Sequence, residues 1–499
     1  MARSFLPASH FTGNDPGYKL LPFRFHRIDK QTEILVNECG EFLLAPSGTT
    51  ERIVRRELQP ANDLYSDLKA KHFIYDNSSF PLLDVLATKY RTKFDFVRGS
   101  TKLHIFVVTL RCDHTCHYCQ VSRQQVSKGE FDMRPGVADA AVDMMLSSPS
   151  EHLTMELQGG EPLLAFEIIK PMVSRAKLGA EKLGKQLEIV ITSNLVFLTD
   201  EILEYCKTEG IKLSTSLDGP AFIHNVNRPR PGGNSYQLAI EGLSRARRVL
   251  GADQVAALMT TTQLSLEHPK EIIDEYVRQS LHTIFLRPIS PYGFAVRSTQ
   301  KTGYEMDSFL HFYRIGLEYI LELNRQGYSL TEIYTKILLQ KMLTPEGTGY
   351  VDLQSPSGAG FNVLVYNYDG DVYATDEARM LAEMHDRTFR LGNVLHHSRA
   401  QMFTSPEFLN LLNAACNESL PGCSDCAFQK YCGADPVFHH ATQGDMFGHR
   451  ATSAFCKRNM RVIEHLFSLL SRGDKNTQDI LWGWATDRNL AEMRADLPQ

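Results

Sequence analysis

The chain of 499 residues has no long, continuous apolar run, so nothing in it is expected to span a bilayer as a helix. Its opening residues, MARSFLPASHFTG, lack the basic start and apolar stretch of a secretory signal. It also lacks an excess of charge of either sign. With 53 Lys and Arg against 58 Asp and Glu, the net charge of −5 gives no electrostatic case for nucleic acid or an anionic membrane surface. No basic, aromatic-interleaved patch appears, which removes the usual footprint of RNA modification. There is no internal repeat and no low-complexity segment. These absences leave a cytoplasmic, globular protein, and 43% hydrophobic with 22% charged residues is ordinary for that class. The length allows two or three domains around a large core. What the chain does have is ten cysteines, and in a reducing compartment these are better read as metal ligands than as disulfides.

Seven of the ten fall into two groups. Cys112, Cys116 and Cys119 lie in TLRCDHTCHYCQ, spaced C-x3-C-x2-C directly after the apolar run LHIFVVTL. Three thiolates on one loop can hold three irons of a [4Fe–4S] cluster and leave the fourth open to a substrate or cofactor. Zinc would need a fourth ligand, for which His114 or His117 is at hand. The second group, Cys423, Cys426, Cys432 and Cys456, has enough thiols to close a cluster or a zinc site completely. Cys39 and Cys206 have no partners at metal spacing and read as buried apolar residues. Cys416 is spare, an alternative ligand or a small core residue, and Asp435 is a lesser ligand candidate.

The chain divides into four stretches. Residues 1–95 open with the strand-like pieces FRFHRI, TEILVN and EFLLA and continue with helical patterns near 48–58, 61–70 and 80–91. A small sheet followed by helices is the pattern of a compact winged-helix module, or of a cap on the next domain. Residues 100–325 alternate strands (103–110, 153–159, 187–193, 211–217, 254–261 and 283–289) with helices near 136–147, 165–183, 199–209, 235–250 and 268–279. Such alternation implies a parallel sheet, and six units fit a partial barrel better than a closed one of eight. Barrel chemistry sits at the C-terminal strand ends. Cys112 follows the first strand there, Gly159-Gly160-Glu161-Pro162 the second, Asn194 the third and Asp218-Gly219 the fourth. Residues 326–472 contain FNVLVYNYDGDVYATDE, a hairpin pattern turning at Asp369-Gly370, then the cysteine-rich CNESLPGCSDCAFQKYCGADP. Residues 473–499 read as a polar, peripheral C-terminal tail.

CDHTCHYC resembles the cluster loop of the radical S-adenosylmethionine (SAM) superfamily, and Gly159-Gly160-Glu161-Pro162 is similar to that superfamily's GGEP motif. The resemblance implies an α/β fold, a partial (β/α)6 TIM-like barrel. It implies a [4Fe–4S] cluster on Cys112, Cys116 and Cys119 whose open iron is chelated by the amino and carboxylate groups of SAM. It further implies that Glu161 and the glycine turn receive the amino group, that Tyr118 packs beside the adenine, and that Asn194, Ser216 and Arg228 contact the ribose and carboxylate. An arginine suits a carboxylate because its planar fork bonds both oxygens. One electron then splits SAM into methionine and a 5′-deoxyadenosyl radical, which removes a hydrogen atom from an unactivated C–H bond.

Cys423-x2-Cys426-x5-Cys432 with Cys456 resembles the SPASM domain of radical SAM peptide maturases. Full SPASM domains hold two auxiliary clusters, and here Asp376 and Pro436 stand near positions where they carry cysteine. The resemblance therefore implies one auxiliary [4Fe–4S] cluster, which would take up the electron left after substrate oxidation. The N-terminal pattern resembles the leader-recognition module of ribosomal peptide modification systems, which binds an extended leader as an added strand. LLPFRFHRI, ILVNECGEFLLAP and KYCGADPVFHHATQGD look most like the B-type maturase of the His-Xaa-Ser system.

The leading expectation is an enzyme that installs a side-chain cross-link, carbon–carbon or carbon–heteroatom, in a precursor peptide carrying a leader. A flavodoxin or ferredoxin would donate its electrons. The alternatives are an anaerobic sulfatase-type maturase forming formylglycine, which usually has all the auxiliary cysteines, and a zinc-binding scaffold without turnover. No general base stands out. His224, Asp218 and Tyr236 lie near the right rim and are expected to serve as hydrogen-bonding residues.

Overall fold

The computed structural model describes residues 17–76, 82–99, 101–345, 347–471, 474–488 and 492. Its N-terminal strands are Lys19–Leu20 (β1), Phe23–Arg27 (β2), Thr32–Asn37 (β3), Phe42–Pro46 (β4) and Ile74–Tyr75 (β5). β2, β3 and β4 form an antiparallel three-stranded sheet, and β1 pairs with β5. The turn between β2 and β3 forms because the Asp29 carboxylate accepts from the backbone N–H of Gln31 (2.7 Å) and Thr32 (2.8 Å). Helices follow at Thr49–Val54, Asp63–Ala70 and Leu82–Lys93, close to the expected places. β3 is buried on both faces, and its two faces serve different cores. Leu35 packs with Ile53, Leu68 and Phe73 in a small local core, while Ile34 and Val36 join the main core. That double burial explains why TEILVN shows no polar alternation.

The central sheet begins with Leu103–Thr109 (β6), His152–Gly159 (β7), Gln186–Thr192 (β8), Lys212–Ser216 (β9) and Val255–Leu258 (β10), all parallel and adjacent in chain order. Helices Pro135–Leu146, Phe166–Leu183, Asp200–Glu209 and Ser235–Leu250 form the crossovers between β6 and β10. Parallel strands need such crossovers because their ends lie at opposite edges. This is a mixed α/β fold with a large parallel sheet.

Two differences from the sequence expectation stand out. The sixth strand, expected over 283–289, shrinks to Thr283–Ile284 (β11) and pairs with Thr331–Glu332 (β12) in a separate two-stranded sheet. The chain that follows carries Pro288 and Pro291, which have no N–H to give a ladder. One link to the end of β10 survives, from the Thr261 N–H to the Arg287 carbonyl at 2.8 Å. The place of a sixth strand in the sheet is taken at the other edge. Val363–Tyr366 (β13) lies parallel to β6, followed outward by Asp371–Tyr373 (β14) and Arg390–Asn393 (β15). The expected hairpin is therefore present, with Gly370 at φ 88° in its turn, but it extends the barrel sheet. All of β13 is buried, and His104 of β6 holds it sideways through Tyr366 (2.9 Å).

The C-terminal stretch was expected to be a polar tail. Lys475–Thr486 is instead a helix whose Ile480, Leu481 and Trp484 are buried against helices Met306–Arg325 and Ile333–Leu343. An amphipathic stripe inside a polar composition is easily passed over, since the apolar residues are few and spaced by a helical turn. No helix among the described residues is long and apolar enough to cross a membrane.

Candidate active site

The three cysteines of the first group lie on the loop leaving β6. Backbone bonds pin that loop to other strand-end segments: Thr115 N–H to Pro229 O (2.7 Å), Cys112 N–H to Gln124 O (3.0 Å) and Phe294 N–H to Cys119 O (2.8 Å). The thiols are close enough to raise one another's proton affinity. Burial, then Glu161, then Cys116 push Cys112 well above its usual range; burial pushes Cys116 up to about 12. Cys112 Sγ, an Asp113 oxygen and a His114 nitrogen lie within 4.8 Å of one another. However, His114 is already committed at both ring nitrogens. Nδ1 meets Asp113 (2.9 Å) and Nε2 meets the Ser235 hydroxyl (2.8 Å), so using it as a zinc ligand would break a buried bond. Three thiols on a pinned loop, with an amide of Asn194 facing Cys112 Sγ at 3.9 Å, fit a cluster that keeps one iron open.

The glycine turn after β7 shows why it needs glycine. A Cβ on Gly159 would stand 2.1 Å from the Thr109 carbonyl, and one on Gly160 would stand 2.3 Å from that of Arg111. The turn lies directly against the end of β6, donating from Gly160 N–H to Thr109 O and from Glu161 N–H to Arg111 O, both 2.7 Å. Glu161 is fully buried. Its carboxylate accepts from Ser193 Oγ (2.7 Å), Asn194 N–H (2.8 Å) and Leu163 N–H (3.0 Å). It therefore ties the end of β8 to the turn, and Pro162 begins the short helix Pro162–Ala165 capped by that same carboxylate. Burial raises the Glu161 carboxyl to about 7 despite these donors.

Tyr118, Asp218 and Arg228 form one buried assembly. The Tyr118 hydroxyl donates to Asp218 Oδ2 (2.6 Å), Arg228 Nε donates to the same oxygen (3.0 Å), and the guanidinium lies 5.2 Å from the centre of the Tyr118 ring. Asn194 donates to Asp113 (2.9 Å), and Ser216 ends β9, half-buried, opposite Leu258. His224 accepts from Asp218 N–H at Nδ1 (3.3 Å) and so donates from Nε2 to Ser235 Oγ (3.1 Å). Tyr236 donates to Glu275 (2.7 Å). These residues hold the rim, and none of the three is left over as a base. Sequence reading passed over Asp113, Arg230 and Ser235, which complete the network, because no motif marks them. It also passed over Gln158, whose buried side-chain nitrogen has no partner one residue before the glycine turn.

The second group also converges. Cys426 feels the charges of Cys432, Cys423 and Cys456, and burial raises it to about 12. Two nitrogen donors face its sulfurs, Arg450 Nε on Cys423 (2.9 Å) and Asn459 Nδ2 on Cys432 (3.2 Å). A set of thiols with donors facing them fits a negatively charged four-thiolate centre. The spare candidates stand apart. Cys416 is raised by burial and Glu418 alone, and Asp435 caps helix Pro436–Gln443 through Phe438 N–H (2.9 Å). Asp376 and Pro436, near which the resemblance leads one to expect further cysteines, each begin a helix.

Beside the second group lies a cavity of about 1190 Å³. Its wall draws on Arg287 and Tyr292 beyond β11, on Glu377 and Asp435, on Cys456, and on His26 of the N-terminal sheet.

Residues 106–285, which carry the parallel sheet, the three loop cysteines and the glycine turn, match the model of the Radical SAM superfamily. Among particular proteins, the chain is 27% identical over 123 residues to a cysteine-type anaerobic sulfatase-maturating enzyme of Clostridium perfringens, covering 24% of this chain and 32% of that one. Its fold is similar to that of anSMEcpe with bound AdoMet and Cp18Cys peptide, with a TM-score of 0.60 and 18% identity over 74% of this chain and 97% of that one. It is also similar to Streptococcus suis SuiB bound to precursor peptide SuiA, with a TM-score of 0.51 and 13% identity over 88% and 99% of the two chains.

Proposed function

We propose that this protein is a radical SAM enzyme that modifies a ribosomally made precursor peptide, leading to a side-chain cross-link. The observation that carries the reading is the cavity, which is walled on one side by the barrel rim and on another by Cys456 of the four-thiol group. A peptide core there would sit beside the four-thiol site, against the segment 285–292 that leaves the barrel. The two comparison structures, each holding a peptide, support the same substrate class. When bound, a [4Fe–4S] cluster with SAM supplies a 5′-deoxyadenosyl radical that takes a hydrogen atom from an unactivated C–H bond.

The chain's own residues have distinct parts in this. Cys112, Cys116 and Cys119 would hold the first cluster, with Glu161 and the glycine turn fixing the strand ends beside it. Asn194, Tyr118, Ser216, Arg228 and Gln158 offer polar and aromatic contacts for SAM around the rim. Cys423, Cys426, Cys432 and Cys456 would hold an auxiliary cluster that accepts the second electron of a two-electron oxidation. The N-terminal sheet and helices act as a winged-helix-like module for the leader, delivering the core to the cavity that His26 borders. The subfamily most similar in its flanking segments is the His-Xaa-Ser system maturase.

The test is iron and sulfide content of anaerobically reconstituted protein, with deoxyadenosine assayed after dithionite and SAM. A cluster in each site, about eight irons per chain in all, with deoxyadenosine formed, is the expected result. Replacing Cys112, Cys116 and Cys119 by Ala abolishes SAM cleavage and leaves about four irons on the second site. Replacing Cys423 and Cys426 spares uncoupled SAM cleavage and stops product formation. Iron-free, zinc-loaded protein without deoxyadenosine would sink the reading in favour of a scaffold.

A further inference from the structure

The cavity beside the four-thiol group differs in charge along its length. Toward solvent its charges are paired: Lys457 with Asp307 (2.7 Å), Arg461 with Glu464 (2.8 Å) and His26 with Glu464 (2.9 Å). At the barrel end the wall carries three carboxylates, Asp352, Glu377 and Asp435, and two guanidiniums, Arg287 and Arg458. Among the described residues, none of these five forms an ion pair within 4.0 Å. The three acids come from separate segments. Asp352 lies in the short helix Val351–Leu353, Glu377 is the second residue of helix Asp376–Ala382, and Asp435 caps helix Pro436–Gln443. The Ala434 N–H bond to Gln354 O (3.1 Å) clamps two of those segments together.

Burying carboxylates of the same sign near one another is unfavourable without a cation. The strain is visible in their proton affinity: burial, then Asp352, raise both groups, Glu377 to about 8 and Asp435 to about 7. A second, independent feature points to a ligand. Tyr292 is 1% exposed and lines the same wall. Its hydroxyl has no hydrogen-bond partner among the described residues, and its charged neighbours are Asp435, Glu377, Asp352 and Arg458, in that order. A buried hydroxyl without a partner is unfavourable, and a ligand that hydrogen-bonds to it would relieve that cost. The acids do not meet within the 4.8 Å span of a single metal ion; among the described residues that closeness is reached by Cys112, Asp113 and His114 alone. A wider, multi-donor cation suits them better. The aromatic lining suits one too, since the Arg458 guanidinium already lies 5.3 Å from the centre of the Tyr334 ring.

We infer that this end of the cavity is a recognition site for a cationic side chain, guanidinium or ammonium, of the peptide to be modified. Asp352, Glu377 and Asp435 accept its N–H groups, and the Tyr292 hydroxyl accepts one more. The donors of such a side chain outnumber those of any neutral residue of similar length, and its charge would favour the ionised form of the carboxyls that burial and their acidic neighbours hold toward the protonated one. The inference rests on the peptide reading for the bearer of the cation, but its test needs no turnover.

The test is calorimetric titration of the full-length, reconstituted protein with N-acetyl-arginine amide, N-acetyl-lysine amide and the neutral isostere N-acetyl-citrulline amide. We expect one of the cationic probes to bind at least about tenfold more tightly than citrulline, and Glu377→Gln with Asp435→Asn to remove about that factor. Tyr292→Phe should weaken binding by a smaller factor without changing the preference for charge. Asp352→Asn serves as a second variant should the double one fail to fold by circular dichroism. Citrulline binding as well as arginine, absence of binding by all three probes, or unchanged binding in the variants overturns the site. Deoxyadenosine formation is read alongside. Lost charge preference with deoxyadenosine intact defeats the recognition site alone. Charge preference without deoxyadenosine defeats the enzyme reading alone.

Discussion

Gly160 can be nothing larger, for a reason that precedes any cofactor. Its neighbour is the backbone of β6, which cannot move aside as a side chain would, so Gly160→Ala should cost about 2 kcal/mol or more and weaken SAM binding. Urea unfolding and a SAM titration read the two effects separately. A buried histidine on the same strand gives a pH prediction. His104 accepts from Tyr366 at Nδ1 and donates from Nε2 to the Thr101 carbonyl (3.1 Å), an arrangement that requires the neutral ring. Burial lowers its pKa to about 3, and that of His224 to about 4. Between the unfolded value of about 6.5 and those folded values, the unfolded chain binds protons that the folded chain does not. Stability is therefore lost as pH falls through that window, by roughly 2–3 kcal/mol for each ring at pH 4.5. His104→Asn should be less stable at pH 7 but show a flatter decline to pH 4.5 in urea midpoints.

Elements were legible where one periodicity dominated. Strand β6 is buried on both faces and reads as a continuous apolar run, β7, β8 and β10 alternate between buried and less buried positions, and the crossover helices carry apolar stripes between them. The pattern misled where local rules competed. Residues 283–289 have the apolar content of a strand, but the prolines that follow stop the ladder after Ile284. The hairpin after Phe361 was clear from its Asp369-Gly370 turn, yet no periodicity tells which sheet a hairpin joins. The helix Lys475–Thr486 hides the large apolar residues Ile480, Leu481 and Trp484 in a polar segment. Its Trp484, 7% exposed, anchors it, and Trp484→Ala should destabilise the protein by about 3–5 kcal/mol in thermal or urea unfolding.

At the scale of the whole molecule, the cysteine-rich loop is the floor on which the N-terminal sheet stands. Arg24 donates to the Ser424 carbonyl (2.5 Å), Tyr431 donates to that of Gly40 (2.9 Å), and Phe42 meets Phe467 at 5.0 Å between ring centres. Metal in the four-thiol site should therefore stiffen the N-terminal sheet at a distance, because bonds to all four thiols would tie the segment that carries Ser424 and Tyr431 to Cys456 of helix Ala454–Ser471. Chelating the metal should raise amide hydrogen exchange over residues 23–46 while leaving β7 and β8 protected. Equal exchange with and without metal would show that the loop is rigid by packing alone.

The sequence by itself determined the chemistry on offer: which thiols stand on one loop, where glycine is placed, and that strands alternate with helices. Those are local properties, carried by spacing and by the period of apolar residues. Tertiary structure alone decided the uses. It set Glu161 to tying strand ends together, gave Asp218 to Tyr118 and Arg228, placed β13 beside β6, and gathered Asp352, Glu377, Asp435 and Tyr292 on one cavity wall. Residues scattered through the chain meet only when the strands pair and the helices pack, and no pattern along the chain encodes a contact whose partners lie that far apart.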